Sequence, residues 1–184
     1  LNGLARQPYL RADGSMMTAS GYDPISGMFG IFDARTFSVP DSPTREQAES
    51  AFLMLMGLLE EFPFVDASDL SAALAAMLTA AVRPSLEHAP MFHVRAPMVG
   101  SGKSYLCELI AAFATPQRGA PTTFPSDDEE CRKMLLAELL KAPAVIEFDN
   151  LTTDLLAHKS LCMVLTSEFM TGRILGVSKT ATVS

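Results

Sequence analysis

The stretch Ala96-Pro97-Met98-Val99-Gly100-Ser101-Gly102-Lys103-Ser104 restricts the fold of this chain more than any other. An apolar run, Met91-Phe92-His93-Val94, precedes it, and an amphipathic run, Tyr105 to Phe113, follows it. Strand, glycine loop and helix in that order make a phosphate-binding loop. Glycines let backbone N–H groups turn inward around phosphate oxygens, and the helix that follows offers the positive end of its dipole. Val99, Gly100, Ser101, Gly102, Lys103, Ser104 and Tyr105 are therefore the candidate nucleotide-binding residues. Lys103 is placed to reach the β- and γ-phosphates, and the Ser104 hydroxyl to complete a Mg²⁺ shell. In the full pattern the position five residues before Gly102 is glycine, and here it is Pro97. Proline lacks an N–H and has a fixed φ, so the inward-facing donors are expected from later in the loop. An ordinary Gly/Ser turn before a helix is the alternative. The agreement of strand, Gly-x-Gly-Lys-Ser and helix favours the phosphate loop.

A second stretch fits the first. Pro143-Ala144-Val145-Ile146-Glu147-Phe148-Asp149-Asn150 is an apolar strand ending in a carboxylate, the pattern called Walker B when it follows a phosphate loop. The interval from Lys103 to Asp149 leaves room for helix, strand, helix and strand. Asp149 is the candidate second Mg²⁺ contact beside Ser104. Asn150 stands where many motor ATPases carry a glutamate; it can orient a water but cannot take its proton. Glu147, two residues before Asp149, shares its strand face. It either shares the metal or base role or is a carboxylate held by a structural hydrogen bond.

Other groups invite chemistry and have plainer readings beside it. The carboxylate run Asp127-Asp128-Glu129-Glu130 resembles a metal cluster, but Ser126 to Glu129 reads better as a capping box at an acidic helix start. Cys107, Cys131 and Cys162 lack metal-ligand spacing and read as reduced core residues of a cytoplasmic protein. His88, His93 and His158 have no common spacing and read as structural or solvated. The net charge of −7 argues against a protein that coats a polyanion along its whole surface, though not against a local basic contact. The longest charge-free apolar run, Leu70 to Val82, is too short to span a bilayer.

The rest of the chain divides around this core. Residues 1–40 are rich in turn signals: Asp13-Gly14 between Tyr9-Leu10-Arg11 and Met16-Met17, then Asp23-Pro24-Ile25-Ser26-Gly27 before Met28-Phe29-Gly30-Ile31-Phe32. They predict a small antiparallel β appendage. Residues 41–90 predict a helical hairpin. Its first helix starts at a Thr44–Gln47 capping box and has Ala48, Phe52, Leu55, Leu59 and Phe62 on one face. Its second is capped by Ser68, with Leu70, Leu74, Met77 and Ala81 on one face. Residues 91–184 predict the ATPase core. After the acidic strand come a helix from Ala157 to Phe169 and a hairpin with arms Ile174–Val177 and Thr180–Val183 around Ser178-Lys179. The fold class expected is α/β, with a three-layer αβα core, a small β unit and a helical hairpin.

Pro8-Tyr9-Leu10-Arg11 with Asp13-Gly14, Gly21-Tyr22-Asp23-Pro24, Phe62-Pro63-Phe64, the Gly100–Ser104 loop, Phe148-Asp149-Asn150 and Arg173-Ile174-Leu175-Gly176, in that order, resemble the central and ATPase region of primase-helicase-like proteins of bacteriophages and integrative elements. The resemblance implies an AAA+-like or superfamily 3 helicase-like ATPase, using ATP and Mg²⁺, working on single-stranded or forked DNA as a homo-oligomeric ring. It carries Lys103, Ser104 and Asp149 over as nucleotide and metal residues. It also implies a polar sensor residue on a further strand, which does not occur before Ser184, so the segment reads as cut short of that strand. Arg173 is a candidate arginine finger acting on a neighbouring subunit, or a surface arginine. Lys179, at the hairpin tip in this reading, is a candidate DNA-phosphate contact, or an exposed turn lysine. A P-loop small-molecule kinase and a non-catalytic nucleotide-binding module are the rival functions.

Overall fold

Asp13 and Gly14 turn the chain as their residue types require. In the computed structural model, which describes residues 2–98, 100–117, 119–149, 151, 155–173 and 179–183, Gly14 has φ +83° and its N–H reaches the Arg11 carbonyl at 3.0 Å. The Asp13 carboxylate accepts from the Ser15 N–H at 2.9 Å, the usual way Asp stabilises a tight turn. After β1 (Gly3–Ala5), the flanking strands β2 (Tyr9–Leu10) and β3 (Met16–Met17) pair antiparallel, Tyr9 opposite Met17. β4 (Gly21–Tyr22) and β5 (Met28–Gly30) pair antiparallel around the Asp23–Gly27 turn. β1 adds to the other edge of β5 in parallel, Leu4 opposite Phe29. The appendage is thus mixed rather than wholly antiparallel.

Asp23 holds this unit together. It is 1% exposed, and its Oδ2 accepts from Arg11 Nε at 2.8 Å, Tyr9 OH at 2.8 Å and Ser26 Oγ at 2.7 Å. A buried carboxylate needs such partners. The Arg11 guanidinium, helped by the Ser26 and Tyr9 hydroxyls, holds its pKa far below the ordinary carboxylate range.

α1 (Arg45–Leu58) starts at the capping box, with Thr44 and Gln47 bonding reciprocally. α2 (Ala67–Val82) is capped by Asp66, not Ser68: the Asp66 side chain accepts from the N–H groups of Ser68 and Asp69, which places Ser68 inside the first turn. Ala73, Leu74 and Met77 of α2 are buried with Leu59 and with Leu106 of α3 (Lys103–Ala114). The two helices depart from a simple hairpin. Leu55, Leu59 and Phe62 join this core, but Phe52 is exposed, and so are Leu53 and Met54, at 69% and 74%. α2 packs mainly on α3, and α1 enters the core through its C-terminal end.

β6 (Thr122–Thr123), α4 (Asp128–Leu139) and β7 (Phe148–Asp149) form a parallel crossover unit, with Thr123 opposite Asp149. α5 (Lys159–Thr166) and the antiparallel pair β8 (Met170–Arg173) and β9 (Thr180–Val183) close a second core of Cys131, Leu135, Leu136, Leu161 and Met170. A Cβ at Gly172 would lie 2.7 Å from the Leu136 side-chain tip, so β8 packs closely on α4 there and a larger residue would make Leu136 shift. Asp127, not Ser126, caps α4 by accepting from the Glu130 N–H. Asp128 reaches across to the Ser160 N–H at 2.9 Å, serving the otherwise uncapped start of α5.

The chain is mixed α/β. Among the described residues its strands make one three-stranded and three two-stranded sheets, not one central sheet with helices on both faces. Met91–Val94 forms no strand, and of the run 144–149 only Phe148 and Asp149 pair. Pro90, Pro97 and Pro143 bound these two runs and remove ladder donors at their ends. The terminal hairpin is also shifted. Arg173 pairs with Thr180, so its first arm is Met170–Arg173, and the expected arm Ile174–Val177 lies outside the described residues. No helix of the described residues is long and apolar enough to cross a membrane.

Candidate functional site

The glycine loop has the backbone geometry its sequence calls for. Gly100 and Gly102 have φ of +80° and +85°, a region that costs any residue with a Cβ about 1–2 kcal/mol. Both lie in the later part of the loop, and Val99 lies outside the described residues. Gly102 is also the N-cap of α3 and supplies no side-chain acceptor. Thr44, Asp66 and Asp127 cap α1, α2 and α4. No side chain caps the first turn of α3, at the positive end of the helix.

Side chains of the loop fold over it. Ser101 Oγ donates to the Met98 carbonyl at 3.0 Å, and Lys103 Nζ donates to the same oxygen at 3.3 Å. The ammonium is held across the loop by a backbone carbonyl. Ser104 and Tyr105 follow on the first turn of α3, both exposed. The Tyr105 ring stacks on Phe62 at 5.7 Å between centroids.

The acidic strand lies within electrostatic reach of this helix. Cys107 stands one turn beyond Lys103 on α3. Burial pushes its thiol pKa up, and the carboxylates of Glu147 and Asp149 push it further. Glu147 and Asp149 are both half-buried; the Glu147 carbonyl takes the Thr122 N–H at 2.8 Å, and Asp149 sits in β7 opposite Thr123. Gly102, Lys103, Ser104, Cys107, Glu147 and Asp149 are among the many residues, drawn from most of the chain, that line one wide, open cleft of about 1990 Å³. Asn150 lies outside the described residues.

The donor set suits a triphosphate with its metal. Uncapped N–H groups and an ammonium match phosphate oxygens. The described residues contain no group of three or more His, Cys, Asp or Glu side chains able to hold a metal by themselves. Mg²⁺ at a nucleotide needs no such group: it takes one or two protein oxygens and fills its shell with phosphate and water. Ser104 and Asp149 are of that kind.

The other candidates lie apart. Arg173 ends β8, is exposed, and is not among the residues lining the cavity. Lys179 is exposed immediately before β9, at the end of the β8–β9 connection rather than at a tight tip. Within the acidic run Asp127 caps α4 and Asp128 serves the start of α5, while Glu129 and Glu130 pair with Lys133. His158 is structural: its Nε2 lies 3.0 Å from the Pro125 carbonyl and its ring stacks on Phe124. Sequence reasoning missed the Phe62–Tyr105 stack, although Phe62-Pro63-Phe64 stood out as a motif. It also missed the coupling of Cys107 to Glu147 and Asp149, which no local pattern encodes. Comparison with known proteins returns no matching family model, no matching curated protein and no matching solved structure.

Proposed function

We propose that this chain is the nucleotide-binding part of a Mg²⁺-dependent P-loop ATPase of helicase type that acts on DNA. The observation that carries the reading is the pairing of an uncapped, glycine-turned loop at the start of α3 with two carboxylates, Glu147 and Asp149, whose charge is felt one turn along the same helix. In this reading Gly100, Gly102 and the first-turn N–H groups cradle the phosphates. Lys103 leaves the Met98 carbonyl for a phosphate oxygen. Ser104 and Asp149 hold Mg²⁺, which when bound offsets phosphate charge. Glu147 or Asn150 orients the attacking water. The parallel β6–α4–β7 crossover supports the P-loop type of α/β core, since such units place carboxyl-terminal strand ends beside the nucleotide.

Arg173 and Lys179 flank the connection between β8 and β9, away from the cavity. That placement suits groups that act on something other than their own chain's nucleotide: a neighbouring subunit's γ-phosphate for Arg173, a DNA phosphate for Lys179. The test of the whole reading is ATP hydrolysis with and without single-stranded DNA. Stimulated turnover that is lost in Asp149→Asn, with nucleotide affinity retained, supports it. Phosphoryl transfer to a small acceptor without DNA stimulation would replace it with a kinase.

A further inference from the structure

Three aromatic rings run in series from the first core to the edge of the glycine loop. Phe64 and Phe62 pack against the core of α2 and α3, with ring centroids 6.1 Å apart. Phe62 stacks on Tyr105 with centroids 5.7 Å apart and the planes 17° from parallel. The Phe62 ring also covers the loop, since a Cβ at Gly102 would lie 3.6 Å from its edge. Tyr105 itself is 65% exposed. One face of its ring is backed by Phe62, and the residue is otherwise largely exposed.

We propose that the exposed ring of Tyr105, backed by Phe62, receives the base of the nucleotide whose phosphates lie in the loop. The proposal rests on the phosphate-loop reading and adds the part of the ligand that the loop does not touch. Phe62 touches both the Gly102 position and the Tyr105 ring, so the ring borders the loop and one nucleotide can span the two. Phe62 fixes the ring's plane beforehand, which lowers the ordering cost of binding. Stacking on a ring is open to every base, so the platform adds affinity with little choice between adenine and guanine. The chain has no tryptophan and three tyrosines, of which Tyr9 is buried in the Asp23 cluster. Base stacking on Tyr105 therefore gives a direct optical signal.

The experiment titrates Mg²⁺-ATP and Mg²⁺-tripolyphosphate into wild type, Tyr105→Ala and Tyr105→Phe by calorimetry, and follows tyrosine fluorescence. The expected result is ATP bound about tenfold more weakly by Tyr105→Ala. Tripolyphosphate affinity stays unchanged there, Tyr105→Phe restores ATP affinity, and the ATP-induced fluorescence change is lost in both variants. Equal ATP affinity in wild type and Tyr105→Ala overturns the base platform and leaves the loop reading standing. A parallel loss of both ligands in Tyr105→Ala also overturns it, since the residue then only supports the loop. If wild type binds neither ligand, the phosphate-loop reading fails and takes this proposal with it.

Discussion

The Lys103 ammonium lies 3.3 Å from the carbonyl oxygen of Met98, so the side chain folds back across the loop that precedes its own helix. Ser101 shares that acceptor. The loop is closed on itself by two bonds to one carbonyl, while the helix start has no side-chain cap. An anion that replaces Met98 as the partner of Lys103 gains both sets of donors.

Two glycines separate backbone need from mere tolerance. Gly102 has φ +85°, and its nearest neighbour across space is in ordinary contact, so Gly102→Ala costs about 1–2 kcal/mol through backbone strain alone. Gly57 sits in α1 with nothing near a built Cβ, so Gly57→Ala gains about 0.5–1 kcal/mol. Urea denaturation of the two variants should move in opposite directions. A stabilised Gly102→Ala would refute the left-handed cap.

Asp23→Asn should lower the melting temperature at neutral pH by several degrees, because Arg11 then faces a neutral partner in a buried site. The pH dependence has a definite sign. The folded pKa of Asp23 is depressed, so its contribution is complete above the unfolded value of about 4 and is lost as the pH falls toward the folded value. The gap between wild type and variant should narrow below about pH 4. A gap that stays constant from about pH 7 to about pH 2 would contradict the pairing.

Cys107 reports the position of the acidic strand. Glu147 and Asp149 raise its pKa, so removing either charge lowers it. Asp149→Asn and Glu147→Gln should each shift the alkylation rate profile of Cys107 to lower pH, read by mass spectrometry, with exposed Cys162 as the internal reference. An unshifted profile in both variants would separate the strand from α3.

Lys179→Ala should weaken single-stranded DNA binding across all sequences. It should also make the salt dependence shallower, by about 0.7 of a unit for each DNA phosphate no longer neutralised. ATP affinity should stay the same, since Lys179 does not line the cavity. Superimposable salt titrations would leave the β8–β9 pair without a DNA role.

Local signals were the legible ones. The Asp13-Gly14 turn, the Thr44–Gln47 capping box and the acidic start of α4 depend on residues a few positions apart, and all three form. Even there, the caps of α2 and α4 are Asp66 and Asp127 rather than nearby serines, since several short polar residues compete for each helix start. Long-range pairing was not legible. β1 joins β5 from across the appendage with no periodic signal in three residues, and the arm that pairs with β9 lies four residues earlier than its β-prone composition implied. Of the candidate site, the left-handed turns at Gly100 and Gly102 could be read directly, because only glycine adopts those φ values at no cost. The ring backing Tyr105 comes from the end of another helical segment and depends on how α2 and α3 pack.

The central claim is that the loop before α3 binds the phosphates of a nucleotide through Lys103. Calorimetric titration of Mg²⁺-ATP into wild type and Lys103→Ala tests it most directly. Lys103 is exposed to intermediate degree and its ammonium bonds a loop carbonyl rather than a core group, so the variant should remain folded. The account predicts saturable binding by wild type and at least about tenfold weaker binding by Lys103→Ala, the loss of charge-assisted bonds worth roughly 1.5–3 kcal/mol. Equal affinity in the two proteins would contradict it.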